Sequence, residues 1–217
     1  VKLSNYVFIT QDDLYFLTYL SSIKYAAITT ALCLLIGYPF AYFMARAKAT
    51  IQPALLMLVM LPFWTSFLLR VYAWKGLLTE HGWVSELLIA LKLDHLLLAM
   101  GVIPALGKFM NSPFSLVLGM VYTYLPFMIL PLFSVLKGIP PHYLRAAASL
   151  GAPPATAFVR VYLPLAAPGV AAGSLMVFIL ALGYYITPAL VGGGSDQMLS
   201  YFVATYTTDT GNWGLAA

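Results

Sequence analysis

The sequence predicts an all-α fold, a polytopic bundle of transmembrane helices, and three observations support this prediction. Hydrophobic residues make up 62% of the 217 positions, whereas charged residues make up only 8%. A soluble domain carries roughly 25% charged residues, so this composition is that of an integral membrane protein. The mean hydropathy is +0.89. Long uncharged runs also alternate with short loops, so we treat residues 1–217 as a single membrane domain.

Four apolar runs are predicted to cross the membrane, at about 25–45, 53–74, 113–136 and 166–191. The first has no charged residue and corresponds to about 31 Å of helix, enough to cross a hydrocarbon core of about 30 Å. The second carries Arg70 near its end, and the third contains Pro126 and Pro131, which are expected to kink it. The stretch Gly192–Gly194 is expected to end the fourth. The apolar stretch 96–107 is too short to cross, so it is predicted to lie at the membrane surface.

The distribution of Lys and Arg predicts which loops face the cytoplasm. The loops 46–52 and 137–164 together hold five Lys or Arg residues and no acidic residue. The remaining loops hold all seven acidic residues, with five Lys spread over much longer segments. Since cytoplasmic loops carry an excess of Lys and Arg, we assign the loops 46–52 and 137–164 to the cytoplasm.

The loop 137–164 is predicted to begin with a short helix and a turn. Pro140 and Pro141 stand where a helix can begin, because its first turn does not need their missing N–H groups. A helix over 144–150 follows. Gly151 then stands where a helix usually ends, in a left-handed conformation that glycine adopts without cost. The three alanines inside this helix leave a face without bulk, so the surface of another protein can approach the backbone closely.

A second helix is predicted to follow the turn. Pro153 and Pro154 are expected to break the chain before it. The second helix carries Phe158 and Val161 and is expected to stop at Pro164. On these residues alone, the loop is either a docking site for another protein or an elbow that joins two spans at the membrane surface.

The same loop contains Arg-Ala-Ala at 145–147, Gly151, Val161 and Leu-Pro at 163–164. This pattern resembles the cytoplasmic coupling loop of ABC-importer permeases, which reads Glu-Ala-Ala, three residues, Gly, nine residues, Ile, one residue, Leu-Pro. The alanines, the glycine and the Leu-Pro pair have the family's spacing, while Val161 replaces the Ile and Arg145 replaces the Glu. By this resemblance, the residues that couple to an ATPase are Arg145, Ala146, Ala147, Leu150, Gly151, Val161, Leu163 and Pro164.

Three further stretches, 34–42, 61–74 and 185–194, resemble the spermidine/putrescine branch of this family. The resemblance implies a type I importer permease fold with six spans, so one span would precede Val1 and one would follow Ala217. The implied location is the bacterial inner membrane, in contact with lipid. The implied partners are a cytoplasmic subunit that uses ATP and Mg, a second permease subunit, and an extracytoplasmic solute-binding protein. The implied cargo is spermidine or putrescine, and another small charged organic solute is the alternative.

Arg70 and a set of aromatic residues are candidates for the translocation pathway. Trp64, Tyr184 and Tyr185 offer ring faces that suit ammonium groups, although ordinary helix packing also explains them. Arg70 either extends to the outer membrane interface or faces the bundle interior. In the interior, a cationic cargo requires Arg70 to be paired with an acid, and Asp196 is the candidate. The predicted pathway residues are Trp64, Thr65, Arg70, Tyr184, Tyr185 and Asp196.

The sequence offers no pattern for catalysis or for metal binding. The three histidines are scattered without ligand spacing, and the single cysteine, Cys33, lies inside an apolar run. No GxxxxGK[ST] motif occurs, so this chain is not expected to hydrolyse ATP or to bind a cofactor. No basic run with interleaved aromatics indicates nucleic acid. The rival classes are a membrane enzyme, which would need an intramembrane acid or histidine set, and an ion-driven carrier or channel without an ATPase.

Overall fold

The computed structural model describes residues 13–191, 198–209 and 211, and helices dominate these segments. Helix α1, Asp13–Arg46, contains the predicted span 25–45 and extends it towards the N-terminus by twelve residues. Within it, Ser22 Oγ donates to the carbonyl oxygen of Thr18 at 2.9 Å. In the described segments, α1 is one of three helices that are long and apolar enough to cross a membrane alone.

The predicted span 53–74 is interrupted. Helix α2 covers Gln52–Met60, a 3₁₀ turn covers Leu61–Trp64, and helix α3 covers Phe67–Leu77. The α-helix gives way to the 3₁₀ turn next to Pro62, whose missing N–H removes one hydrogen bond of the α-helical ladder. The pair of helices forms a fourth span only if both pieces belong to one crossing, so the count of four spans stays a prediction.

The segment between α3 and the next long helix folds around a small apolar core. Helix α4 covers Trp83–Ala90 and helix α5 covers Leu93–Ala99. The core is formed by Leu78, Ile103 and Phe109, all at most 3% exposed. The predicted surface helix 96–107 is therefore only partly helical, because α5 ends at Ala99 and turns follow.

Helix α6, Pro113–Gly138, runs through Pro126 and Pro131 without interruption. Helix α7 covers His142–Ser149 and helix α8 covers Pro154–Ala157. A π-helical turn, Phe158–Tyr162, then leads directly into helix α9, Leu163–Leu182. Helices α8 and α9 and the π turn thus form one continuous apolar helix, Pro154–Leu182, long enough to cross a membrane.

One prediction about this segment is wrong. The second helix of the loop does not stop at Pro164, because the long helix begins at Pro154 and ends at Leu182. The bounds of the fourth span, 166–191, stay a prediction, and the residues up to Leu182 belong to this helix. Proline lacks an N–H and its ring collides with the preceding turn of an ordinary α-helix. Here the preceding turn is widened, since the N–H of Leu163 donates to the carbonyl of Phe158, five residues back. The wide turn allows the helix to continue through the proline.

The remaining helices are short. Helix α10, Ile186–Val191, is separated from α9 by a three-residue connection, and helix α11 covers Leu199–Thr208. The start of α11 is fixed by α1, because the N–H of Leu199 donates to Ser22 Oγ at 2.8 Å. The hydroxyl groups of Tyr15 and Tyr206 share a hydrogen bond further along the same pair of helices.

The chain divides into two compact units. The first comprises the described residues of Val1–Thr29, Thr65–Tyr122 and Ile179–Ala217. The second comprises Thr30–Trp64 and Thr123–Phe178, and it contains the loop 137–164.

Close helix packing in the second unit depends on glycine. A Cβ atom at Gly169 would lie 2.9 Å from Val135 Cβ, and one at Gly173 would lie 2.9 Å from Met128 Sδ. The two glycines are four residues apart on α9, so they form the small-xxx-small pattern that lets membrane helices approach. The two glycines are therefore the positions at which α9 packs closely against α6.

Candidate coupling elbow and transport pathway

We call residues 142–164 the elbow, since α7 and the following helix meet there at a defined turn. The N–H of Gly151 donates to the carbonyl of Ala148, and the N–H of Ala152 donates to the carbonyl of Ala147, both at 3.0 Å. These are the two hydrogen bonds of a Schellman motif. Gly151 has φ +80°, the left-handed conformation that the sequence predicts.

The predicted coupling residues differ in exposure. Ala147 is 9% exposed and Ala157 is 5% exposed, and both lie within the elbow where α7 packs against α8 and the π turn. Ala147 therefore supports the elbow from inside, so it does not form part of its outer face. Val161 is half-buried. The exposed members are Arg145, Ala146, Leu150, Gly151, Leu163 and Pro164.

Leu150 is the most prominent residue of this outer face. Its side chain is 89% exposed and it stands directly before the turn at Gly151. Its neighbours Ala146, Ala148 and Gly151 have little or no side chain and are exposed too. The outer face therefore has a fully projecting apolar side chain beside a stretch of backbone that carries almost no side chains.

The charge of the second unit is uniformly positive. Its two segments contain no acidic residue and five basic ones. These are Arg46, Lys48, Lys137, Arg145 and Arg160. Arg145 is exposed on α7, where its carbonyl accepts a hydrogen bond from Ser149 Oγ at 3.0 Å. The exposed charge of the elbow is thus positive at the position where the resembling family carries Glu.

An aromatic cluster at the base of the elbow was missed by the sequence analysis. The rings of Tyr42 and Tyr162 are 5.2 Å apart, and Arg46 Cζ lies 5.2 Å from the Tyr162 ring centroid. Phe158 lies 6.2 Å from both Tyr38 and Tyr42. A signal was available, because residues 38, 42 and 46 are spaced by four and therefore share one face of a helix.

The predicted pathway residues that the structure describes are divided between the two units. Tyr184 and Tyr185 lie in the first unit, before α10, which packs against α3. Thr187 Oγ1 donates to the Tyr184 hydroxyl at 2.9 Å, and Ser200 Oγ donates to the Tyr184 carbonyl at 2.6 Å. The Tyr185 ring lies 6.1 Å from the Tyr201 ring, so it packs against an aromatic residue that the prediction did not include.

Three other predicted pathway residues lie on the interrupted pair of helices. Arg70 belongs to α3, and its side chain is half-buried with Nε fully shielded from solvent. Thr65 lies in the break between α2 and α3, and Trp64 belongs to the second unit, where it is 75% exposed. Asp196 lies outside the described residues, and so does its predicted pairing with Arg70. Among the described residues, no group of three or more His, Cys, Asp or Glu side chains is placed to hold a metal ion.

Comparison with known proteins places this architecture in a family. The family model described as "Binding-protein-dependent transport system inner membrane component" matches residues 33–216. The spermidine/putrescine transport system permease protein PotB of Salmonella typhimurium (strain SL1344) is 36% identical over 206 residues, covering 95% of this chain and 69% of PotB.

Two proteins of Escherichia coli (strain K12) are also similar. PotB is 35% identical over 95% of this chain and 72% of its own length. The inner membrane ABC transporter permease protein YdcU is 40% identical over 80% of this chain and 56% of its own length. The predicted importer permease, its helical membrane fold and its inner-membrane location are confirmed by these matches and by the apolar helices. The chain therefore belongs to the family of inner membrane components of binding-protein-dependent transport systems.

Proposed function

We propose that this permease carries polyamines, spermidine or putrescine, and that it is driven by a separate ATP-binding subunit. The observation that carries the proposal is the likeness to PotB, at 36% identity over 95% of the chain. A second permease subunit and an extracytoplasmic solute-binding protein complete the assembly. ATP and Mg are used by the ATP-binding subunit, because no phosphate-binding loop of the GxxxxGK[ST] type occurs in this sequence.

The elbow suits the transmission of movement from the ATP-binding subunit. It is fixed internally by the hydrogen bonds of the turn and by the packing of α7 on the helix that follows. It is continuous with α6 on one side and α9 on the other, and these helices contact each other closely at Gly169 and Gly173. A force applied at Leu150 therefore moves both helices together. Coupling occurs by rigid-body movement of the elbow and the two spans beside it.

The cargo is tested by reconstituting the permease with its ATP-binding subunit, second permease and binding protein in liposomes. ATP-dependent uptake of radiolabelled spermidine or putrescine is expected, and an excess of unlabelled polyamine should compete with it. Uptake of another small charged organic solute, with no competition by polyamines, would contradict the proposed cargo. Uptake without the ATP-binding subunit would instead indicate an ion-driven carrier or a channel.

Substitution of Gly151 tests the elbow as the coupling element. A Cβ at Gly151 meets nothing within 4 Å, so the cost is conformational, about 1–2 kcal/mol for a side chain in the left-handed region. Gly151→Val is expected to insert normally and to lose most substrate-stimulated ATP hydrolysis. Gly151→Asn should retain more activity, because Asn tolerates this conformation better. Gly138→Ala, also in open space but without a positive φ, is the matched control.

Substitution of Arg70 tests the pathway assignment. The shielded Nε favours the bundle interior over the lipid interface, so Arg70→Ala is expected to lower polyamine uptake severalfold while the assembly stays intact. Arg70→Lys should keep part of the activity, because it keeps the charge. Uptake by Arg70→Ala equal to that of the wild type would remove Arg70 from the mechanism.

A further inference from the structure

Aromatic side chains from α1 interleave with aromatic side chains from the π turn at the base of the elbow. Tyr42 on α1 meets Tyr162 edge to face, with centroids 5.2 Å apart and an angle of 83° between the rings. It meets Phe158 in a similar way at 6.2 Å and 81°. Tyr38, one helical turn earlier, also meets Phe158 edge to face, at 6.2 Å and 90°. Two turns of α1 are therefore joined to the π turn by aromatic contacts.

The π turn brings its two aromatic rings into contact with each other. Phe158 and Tyr162 lie at its ends and stack on each other at 5.7 Å with only 22° between the ring planes. Tyr162 is fully buried. Single π turns are rare and are concentrated at functional sites, and this one places both rings of the pair against the same face of α1.

Arg46 closes this cluster at the end of α1. Its guanidinium carbon lies 5.2 Å from the Tyr162 centroid and 5.7 Å from the Tyr42 centroid. The second unit contains no acidic residue, so no carboxylate of this unit can hold the guanidinium. The attraction available there is that between a cation and two ring faces, and it ties the end of α1 to the base of the elbow.

We propose that Arg46, Tyr42 and Tyr162 form a joint that carries movement of the elbow into α1. The covalent chain links the elbow to α6 and α9 only, and this cluster supplies the third link. Arg46 is a positioning residue, since it acts through Tyr162. The inference rests on the proposed function, in which an ATP-binding subunit moves the elbow.

Another role for Arg46 is that of a cytoplasmic anchor, as expected of a basic residue at the end of a span. Lys48 provides the comparison, because it is exposed and carries the same charge in the same loop, two residues away. If Arg46 is only an anchor, substitutions at Arg46 and Lys48 should have the same effect. If Arg46 belongs to the joint, only its substitution should matter, because it is the residue that lies over the rings.

The experiment compares Arg46→Gln with Lys48→Gln in the complete importer, reconstituted in liposomes with binding protein and spermidine. The readout is the number of spermidine molecules imported per ATP hydrolysed, measured on assemblies that contain all subunits by size-exclusion chromatography. Arg46 is exposed, so Arg46→Gln is expected to lower this ratio by roughly twofold to fivefold, the range implied by a cation–π contact at an exposed site. Lys48→Gln should leave it unchanged. Equal ratios for the two variants would overturn the proposal.

If the importer with Arg46→Gln does not assemble, a second pair of variants tests the joint. Tyr42→Phe keeps the ring face under the guanidinium, and Tyr42→Leu removes it at a half-buried position. The ratio should be normal in Tyr42→Phe and reduced in Tyr42→Leu, and equal ratios would again overturn the joint. Failure of the wild-type importer to move spermidine would count against the proposed function. If the wild-type importer couples normally and the two variants of each pair have equal ratios, the joint is contradicted and the proposed function is not.

Discussion

Replacing Leu150 with aspartate is expected to abolish co-purification of the ATP-binding subunit while the permease still inserts into the membrane. Leu150 is 89% exposed, so it contributes little to folding of this chain. In a groove of the ATP-binding subunit, a buried leucine contributes about 1.5–3 kcal/mol. A charged side chain in that groove would add a desolvation penalty. The expected loss is about 3 kcal/mol or more, roughly a hundredfold in affinity.

Two control variants accompany this prediction, one at another exposed leucine and one at Leu150 itself. Leu106→Asp changes a leucine that is 48% exposed in a segment assigned to the opposite side of the membrane, and it should retain the ATP-binding subunit. Leu150→Met keeps an apolar side chain and should behave as the wild type. Retention of the subunit by Leu150→Asp, measured by pull-down from detergent-solubilised membranes, would show that the elbow is not the docking site.

Replacing Gly173 with leucine is expected to lower the thermal stability of the permease strongly. A Cβ at this position would lie 2.9 Å from Met128 Sδ and 3.2 Å from the Met128 carbonyl oxygen. The sulfur can move, but the carbonyl belongs to α6 and cannot move without displacing the helix. Overpacking costs about 1–3 kcal/mol or more, and a branched side chain here would force α6 and α9 apart.

Thermal stability of the detergent-solubilised permease, followed by size-exclusion chromatography, measures this effect. Gly173→Ala should lower the melting temperature by less than Gly173→Leu, since it adds only one carbon. Gly138→Leu is the control, because a Cβ at Gly138, at the end of α6, meets nothing within 4 Å. Equal stability of Gly173→Leu and Gly138→Leu would contradict the close packing of the two helices.

The local chemistry of the elbow could be predicted from the sequence because glycine and proline act over a few residues. Gly151, followed by Pro153 and Pro154, predicts a helix end, and the structure has a Schellman turn there. The rule for Pro164 failed, because it assumes an ordinary α-helical turn before the proline. The π turn at Phe158–Tyr162 removes that assumption, and no single residue in it indicates a wider turn.

The membership of the candidate site stays a prediction, and the arrangement of its residues could not be predicted from the sequence. Helical spacing alone does not reveal that Ala147 points inwards, since this depends on the helix that packs against it. Trp64 and Tyr184 were grouped by residue type, yet they belong to different units. Arg46 was assigned to a loop by its charge. Its contact with Tyr162 joins residues 116 positions apart in the chain, which a pattern over a few residues does not show.

The glycine contacts between α6 and α9 restrict how a transport cycle can proceed. At Gly169 and Gly173, the backbone of α9 lies directly against side chains of α6. Neither helix can therefore slide along the other without a steric clash. In the proposed coupling, we therefore expect these two helices and the elbow between them to tilt as one body. We also expect the solute to pass beside this pair of helices and not between them.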